Sequence, residues 1–209
     1  MLDKTFVFLL EIIGTVAFAV SGADVAIQKK MDILGVAILG MTASVGGGIM
    51  RDLILGITPP SAFTNPVYAV VSIVTSILYF LPAIQNMLKK DRKVYASVLN
   101  IMDTIGLAVS SVLGVETAVN TVSGDNIFLA VFVGTITGVG GGVLRDIFCG
   151  NTPYIFEKDF YATAAILGSS ACFLLCPHLG LSNSMAAGAI LIIVLRVLAI
   201  RFRWHLPKA

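Results

Sequence analysis

The chain has 209 residues, 57% hydrophobic and only 12% charged, with a formal net charge of +2 and a mean hydropathy of +0.94. Soluble domains carry about 25% charged residues, so this composition excludes an ordinary soluble globule and points to a membrane protein. Near-neutral balance gives no basis for expecting a nucleic-acid partner; membrane lipid is the expected surroundings.

Seven apolar segments run at about 5–26, 33–56, 66–84, 95–115, 127–149, 160–177 and 183–203. Most have the roughly 20 residues a helix needs to cross hydrocarbon. The fold class expected is therefore an all-α membrane protein of seven transmembrane helices in a single domain over 1–209. The first segment has Lys4, an apolar run and small residues, as a signal peptide would, but Glu11 inside the run argues against that. Asp24 and Asp32 fall near a segment boundary, and Asp32 with Lys29 and Lys30 reads as a solvated turn. The second segment contains Thr42, Ser44, then Gly46-Gly47-Gly48-Ile49-Met50-Arg51-Asp52. The fourth contains Asp103. The fifth contains Thr137, then Gly140-Gly141-Gly142-Val143-Leu144-Arg145-Asp146. Pro59, Pro60, Pro66 and Pro153 follow the two glycine-bearing segments and suit helix ends and stiff connections. Lys89 to Lys93 reads as a topology determinant, with anionic-lipid contact as the weaker alternative. Cys149, Cys172 and Cys176 offer neither a disulfide framework nor zinc spacing, and His178 and His205 stand apart. No catalytic triad, metal cluster or phosphate loop emerges, so neither enzyme activity nor a cofactor is expected.

The glycine–Arg-Asp stretch repeats. Residues 40–59 align with 134–153 without gaps, with ten of twenty positions identical. Upstream an offset of 89 pairs Thr15 with Thr104 and Ala19-Val20-Ser21 with Ala108-Val109-Ser110. Downstream an offset of 93 pairs Tyr68-Ala69 with Tyr161-Ala162. Segments one to three (5–84) thus repeat as four to six (95–177), and segment seven (183–203) stands alone. Three spans per copy make the second copy enter from the opposite side, an inverted repeat. Loop charges orient the chain. Lys29, Lys30, Lys89, Lys90, Arg92, Lys93, Lys158, Arg201, Arg203 and Lys208 lie on one side, whereas the other has Lys4 with Glu116 and Asp125. The positive-inside rule makes the basic side cytoplasmic, with the N-terminus outside and the C-terminus inside. Tyr68, Tyr95, Tyr154, Tyr161 and Trp204 fall near segment ends, as interfacial aromatics do.

Charges at bilayer depth face protein or water. Adjacent helix residues do not face each other, so a cross-repeat arrangement is expected, Asp146 serving Arg51 and Asp52 serving Arg145. These four residues either lock the fold or line and gate a pore. The glycines read as breaks in two helices facing each other across a permeation path, or as points of close helix approach. Freed carbonyls would be tolerated there only inside protein or along a water-filled cavity, where they can coordinate a cation. Thr42, Ser44 and Thr137 add hydroxyls to such a path, or bond back to their own helices. Glu11 and Asp103 attract cations, take part in proton coupling, or are hydrogen-bonded structural acids.

AFAVSGADVAIQ at 17–28, TASVGGGIMRDLILGITPP at 42–60, DTIGLA at 103–108 and GVGGGVLRDIFCGNTP at 138–153 resemble the bacterial branch of the trimeric intracellular cation (TRIC) channels, a domain also labelled a glycine transporter. The resemblance covers nearly the whole chain. It implies a homotrimer in the bacterial inner membrane and one ion path through each protomer. It also implies kinks at the glycine runs and conduction of monovalent cations, chiefly potassium. The Lys-Glu-Val signature linked to lipid binding in animal members is not apparent, so inositol-lipid regulation is not implied. The alternative is a secondary transporter of glycine or another small solute, since broken inverted repeats also serve alternating access.

Overall fold

The computed structural model describes residues 4–121, 126–157, 160–202 and 204 of the chain. Among them it forms ten helices and no strand: α1 (Lys4–Gln28), α2 (Ile33–Ile54), α3 (Ser61–Thr64), α4 (Val67–Phe80), α5 (Pro82–Lys89), α6 (Arg92–Thr121), α7 (Ile127–Phe148), α8 (Tyr154–Glu157), α9 (Tyr161–Leu179) and α10 (Leu181–Phe202). Asp125, Lys158, Arg203, His205 and Lys208, used above, lie outside the described residues.

Six helices are long and apolar enough to cross a membrane, and a seventh span results if α4 and α5 count together. These two meet at a 69° bend. Pro82 is the first residue of α5 and has no N–H to continue the α4 ladder. The Gln85 side-chain amide donates to the Tyr79 carbonyl at 2.8 Å across the corner.

α1, α2 and α4 pack against one another, as do α6, α7 and α9. α1 joins the two groups along α6, and α2 joins them along α7. α10 lies on α9 and α6. Leu107, Val112, Val133, Met185 and Ile192 are wholly buried between α6, α7, α9 and α10. Many large apolar side chains on the outer faces remain exposed, Phe128 and Val70 among them. That is the pattern of helices solvated by lipid.

Both repeated motifs end their helices in the same way. Asp32 caps the start of α2 by accepting from the Gly35 amide at 2.8 Å, and Asn126 caps α7 by accepting from Leu129 at 3.0 Å. At the other end Ile57 N–H donates to Asp52 O at 2.8 Å and Gly56 N–H to Leu53 O. The corresponding pairs after α7 are Asn151 to Asp146 at 2.9 Å and Gly150 to Ile147. These are Schellman endings, which need a left-handed residue. Gly56 and Gly150 supply it with φ of 72° and 62°.

The glycine runs do not break their helices: α2 is continuous through Gly46–Gly48 and α7 through Gly140–Gly142. This corrects the expectation of unwound segments. The helices instead touch backbone to backbone. A Cβ on Gly47 would overlap the Thr137 carbonyl, and one on Gly141 would overlap the Ala43 carbonyl. A Cβ on Gly46 would lie 2.6 Å from Leu144 Cδ1, and one on Gly140 2.7 Å from Met50 Sδ. Each contact recurs with the roles of the helices exchanged. Gly48 and Gly142 differ: their nearest neighbours are Arg51 Nη2 at 3.8 Å and Arg145 Nη2 at 3.7 Å.

Gly47→Ala and Gly141→Ala are therefore expected to destabilise the protein by about 1–3 kcal/mol through overpacking. Gly48→Ala is expected to be neutral or slightly stabilising, since alanine is about 1 kcal/mol better in a helix. Thermal unfolding of the three variants in detergent measures the contrast; equal midpoints would show that the crossing is not the tight point.

Candidate functional site

The Arg-Asp pairs sit in the last turns of α2 and α7, where their helices end. Arg51 Nε donates to Asp52 Oδ1 at 2.8 Å, and Arg145 Nε to Asp146 Oδ1 at 2.8 Å. The expected cross-repeat pairing is thus incorrect. Each guanidinium folds back onto its sequence neighbour, which a long arginine side chain can reach even though adjacent residues diverge on the helix. The second carboxylate oxygen holds the following short helix. Asp52 Oδ2 accepts from the Ser61 amide at 2.7 Å and from the Ser61 hydroxyl; Asp146 Oδ2 accepts from the Tyr154 amide at 3.1 Å. One acid in each copy therefore clips together an arginine, a helix end and the start of α3 or α8.

Around Arg51 lies a cavity of about 70 Å³. Its walls include Glu11 and Thr15 of α1, Ser44 and Gly48 of α2, Tyr68 of α4 and Thr137 of α7. The Tyr68 hydroxyl donates to Glu11 in a short contact. Ser44 Oγ lies within hydrogen-bond distance of two carbonyls, Gly40 at 2.8 Å and Thr15 at 3.0 Å, and Thr137 Oγ1 donates to Val133 O at 2.6 Å. Both hydroxyls thus bond back to carbonyls while lining the cavity. Thr42, two residues from Ser44 and on another face of α2, lines neither this cavity nor the second one.

The second cavity, about 170 Å³, opens near the other motif. Ser21, Asp24 and Gln28 of α1 line it with Asn100 and Asp103 of α6 and Tyr154 of α8. Behind it Arg145 is fully buried. Its Nη1 donates to the Ser21 hydroxyl and lies 3.5 Å from Asp103 Oδ1. The guanidinium also stacks 4.6 Å from the Tyr154 ring centre. Burial pushes the Tyr154 phenol above its ordinary range, against the pull of Arg145. Asp24 is buried as well, accepting from Gln28, Tyr79 and Tyr95. It lies four residues before the end of α1 and faces protein. Tyr68, Tyr95 and Tyr154 are likewise partly buried and engaged by inward groups, Tyr161 has 2% exposure, and of that set only Trp204, against Phe160, remains a surface aromatic.

The two cavities lie toward opposite ends of α1. Glu11 and Asp24 are thirteen residues apart, about 20 Å at 1.5 Å per residue. Residues 110 and 113 of α6 meet the Glu11 end and residues 96–103 the Asp24 end, so α1 and α6 run antiparallel. Midway, Phe18 is buried against Gly106. Sequence reasoning missed Ser61, Ser21 and the acid-binding tyrosines, whose roles arise from tertiary contacts. It also passed over Arg196, buried to 2% in α10 with its guanidinium 4.8 Å from the Tyr161 ring centre. An arginine in the middle of an apolar segment was a visible signal.

A family model described as "Glycine transporter" matches residues 8–83 and 100–177. The UPF0126 inner membrane protein YadS of Escherichia coli (strain K12) is 36% identical over 204 residues, covering 96% of this chain and 93% of that protein. A prokaryotic TRIC channel solved in 0.5 M KCl superposes with a TM-score of 0.86 at 31% identity, covering 97% of this chain and 99% of the other. The TRIC trimeric intracellular cation channel orthologue from Rhodobacter sphaeroides superposes with a TM-score of 0.85 at 31% identity, covering 96% and 100%.

Removing one member of a buried ion pair strands the other. Asp146→Ala is expected to cost about 3–5 kcal/mol by leaving Arg145 without its closest counter-charge. Arg145→Ala with Asp146→Ala is expected to cost less than the sum of the single changes. Unfolding midpoints of the three variants in detergent test this; strict additivity would rule out the coupling.

Proposed function

This chain belongs to the bacterial TRIC family, and from that membership we propose that it is a potassium-conducting cation channel with one path through each protomer of a homotrimer. The observation that carries the reading is the pair of polar cavities at the two ends of α1, with net acid left in each. The arginines are neutralised by their own aspartates. Glu11 in one cavity, and Asp24 with Asp103 in the other, then hold a negative potential that concentrates cations. Between them the glycine crossing of α2 and α7, together with Phe18, forms the closed section. The glycine runs, free of side chains, let these helices bend or slide apart there. Arg51 and Arg145 shape the field on either side of this gate, and Ser44 and Thr137 offer hydroxyls along the way.

The inverted repeat is part of the same reading. The reciprocal contacts of Gly46 with Leu144 and Gly140 with Met50 are what a two-fold axis produces. The antiparallel course of α1 and α6, whose sequences align, supports the same relation. The excess of lysine and arginine at the α1–α2 turn, the α5–α6 corner and the end of α10 supports an outside N-terminus and a cytoplasmic C-terminus.

A secondary transporter of glycine or a similar solute is the second reading. It is favoured by the first cavity, whose small volume sets the Arg51 guanidinium and the Glu11 carboxylate on its walls, complements of a zwitterion.

Single-channel recording of purified protein in planar bilayers is expected to show potassium currents. Glu11→Gln and Asp24→Asn should each lower conductance, by roughly ten-fold at most at low salt and by much less at 1 M, where charges are screened. Saturable glycine uptake into liposomes without unitary currents would replace the channel with the transporter.

A further inference from the structure

A cavity larger than either polar chamber lies on the flank of α6. It is a groove of about 730 Å³ between the first half of α6 and the last half of α10. Its deep walls are aliphatic, with Ile101, Ile193 and Val197, and Ile101 and Val197 stand about half exposed. Its mouth is polar: Ser97, Asn100 and Arg201. One turn before Ser97 on the same α6 stripe is Lys93, also exposed, beside the exposed Arg92. Trp204, packed on Phe160 just past α10, marks the same end as the level of the membrane interface. From Ser97 to Ile105 the groove descends about 12 Å along α6.

We propose that this groove is a binding site for one anionic phospholipid, with its phosphate at Arg201 and Lys93 and an acyl chain lying along the isoleucine-lined wall. The order of chemistry along the groove is that of the lipid. Cations sit at the mouth, where they meet a phosphate. The Ser97 hydroxyl and Asn100 amide follow at the depth of the ester oxygens. Mostly aliphatic side chains, with Thr104 among them, line the region where a chain is held by dispersion and area. A zwitterionic lipid fits the wall equally well but lacks the net charge that the mouth complements. A second copy of this chain would have to cover Arg201 and Lys93 as well as the isoleucines, and among the described residues no acidic side chain lines the groove to offset those charges. The site rests on the packing of α6 against α10, not on which ion or solute is moved.

The experiment is native mass spectrometry of the detergent-purified protein titrated with phosphatidylglycerol and, separately, with phosphatidylethanolamine. Phosphatidylglycerol is expected to be retained roughly ten-fold more strongly. Arg201→Gln combined with Lys93→Gln should reduce its retention to the phosphatidylethanolamine level. Lys29→Gln combined with Lys30→Gln, at the same membrane side but away from the groove, should leave retention unchanged. Ile101→Trp, or Val197→Trp from the opposite wall should the first not fold, should displace the lipid while the oligomer persists. The proposal is overturned by equal retention of the two lipids, by an equal loss in the Lys29 and Lys30 control, by lipid retention that survives the tryptophans, or by tryptophans that split the oligomer.

Discussion

Each Arg-Asp pair is a four-way junction built around one carboxylate. In both copies the aspartate stands three residues before the helix C-cap, takes the arginine Nε on one oxygen and takes the first amide of a short helix on the other. Its own carbonyl closes the Schellman ending. The charge in the arginine is thereby cancelled at the place where the helix runs out of hydrogen bonds. Without that cancellation neither α2 nor α7 could carry an arginine this deep, and the polar chambers beside them would repel cations.

The second constraint is closeness. Gly47 and Gly141 allow α2 and α7 to meet carbonyl against Cα, and that contact joins the two three-helix groups at their centre. α1 and α4 fill one side of α2, and α6 and α9 fill the other side of α7. The first two glycines of each run belong to the crossing. A Cβ on the third would meet the arginine guanidinium at ordinary contact distance, 3.8 Å on Gly48 and 3.7 Å on Gly142. The helix crossing thus accounts for the first two glycines of each run and not for the third.

Much of this architecture was legible in the sequence. Segment lengths located the long helices to within a few residues, save the end of α6, which runs to Thr121 rather than 115, because twenty apolar residues in a row have one use. The glycine runs and the Arg-Asp pairs announced themselves by repetition. What was not legible depended on side-chain reach. Helical geometry says that neighbours such as Arg51 and Asp52 diverge, yet a flexible arginine ending its helix overrides that rule. The glycine runs looked like breaks because glycine weakens an isolated helix, but tight tertiary contact holds α2 and α7 together through them. Tyr68 and Tyr95 looked interfacial because tyrosine frequents that zone; carboxylates on α1 recruited their hydroxyls instead. The bend between Phe80 and Pro82 was hidden inside a continuous apolar stretch.

That bend gives the molecule an uneven waist. α4 has 14 residues, about 21 Å of helix, whereas a typical hydrocarbon core is about 30 Å thick. The other long helices span from 19 to 30 residues. Lipid beside α4 therefore meets a shallower apolar wall than lipid beside α6 or α10. The bilayer thins on that flank, or the α5 corner sinks into it. Membrane thickness acts on this protein from one side, as a torque on a single corner rather than a uniform squeeze.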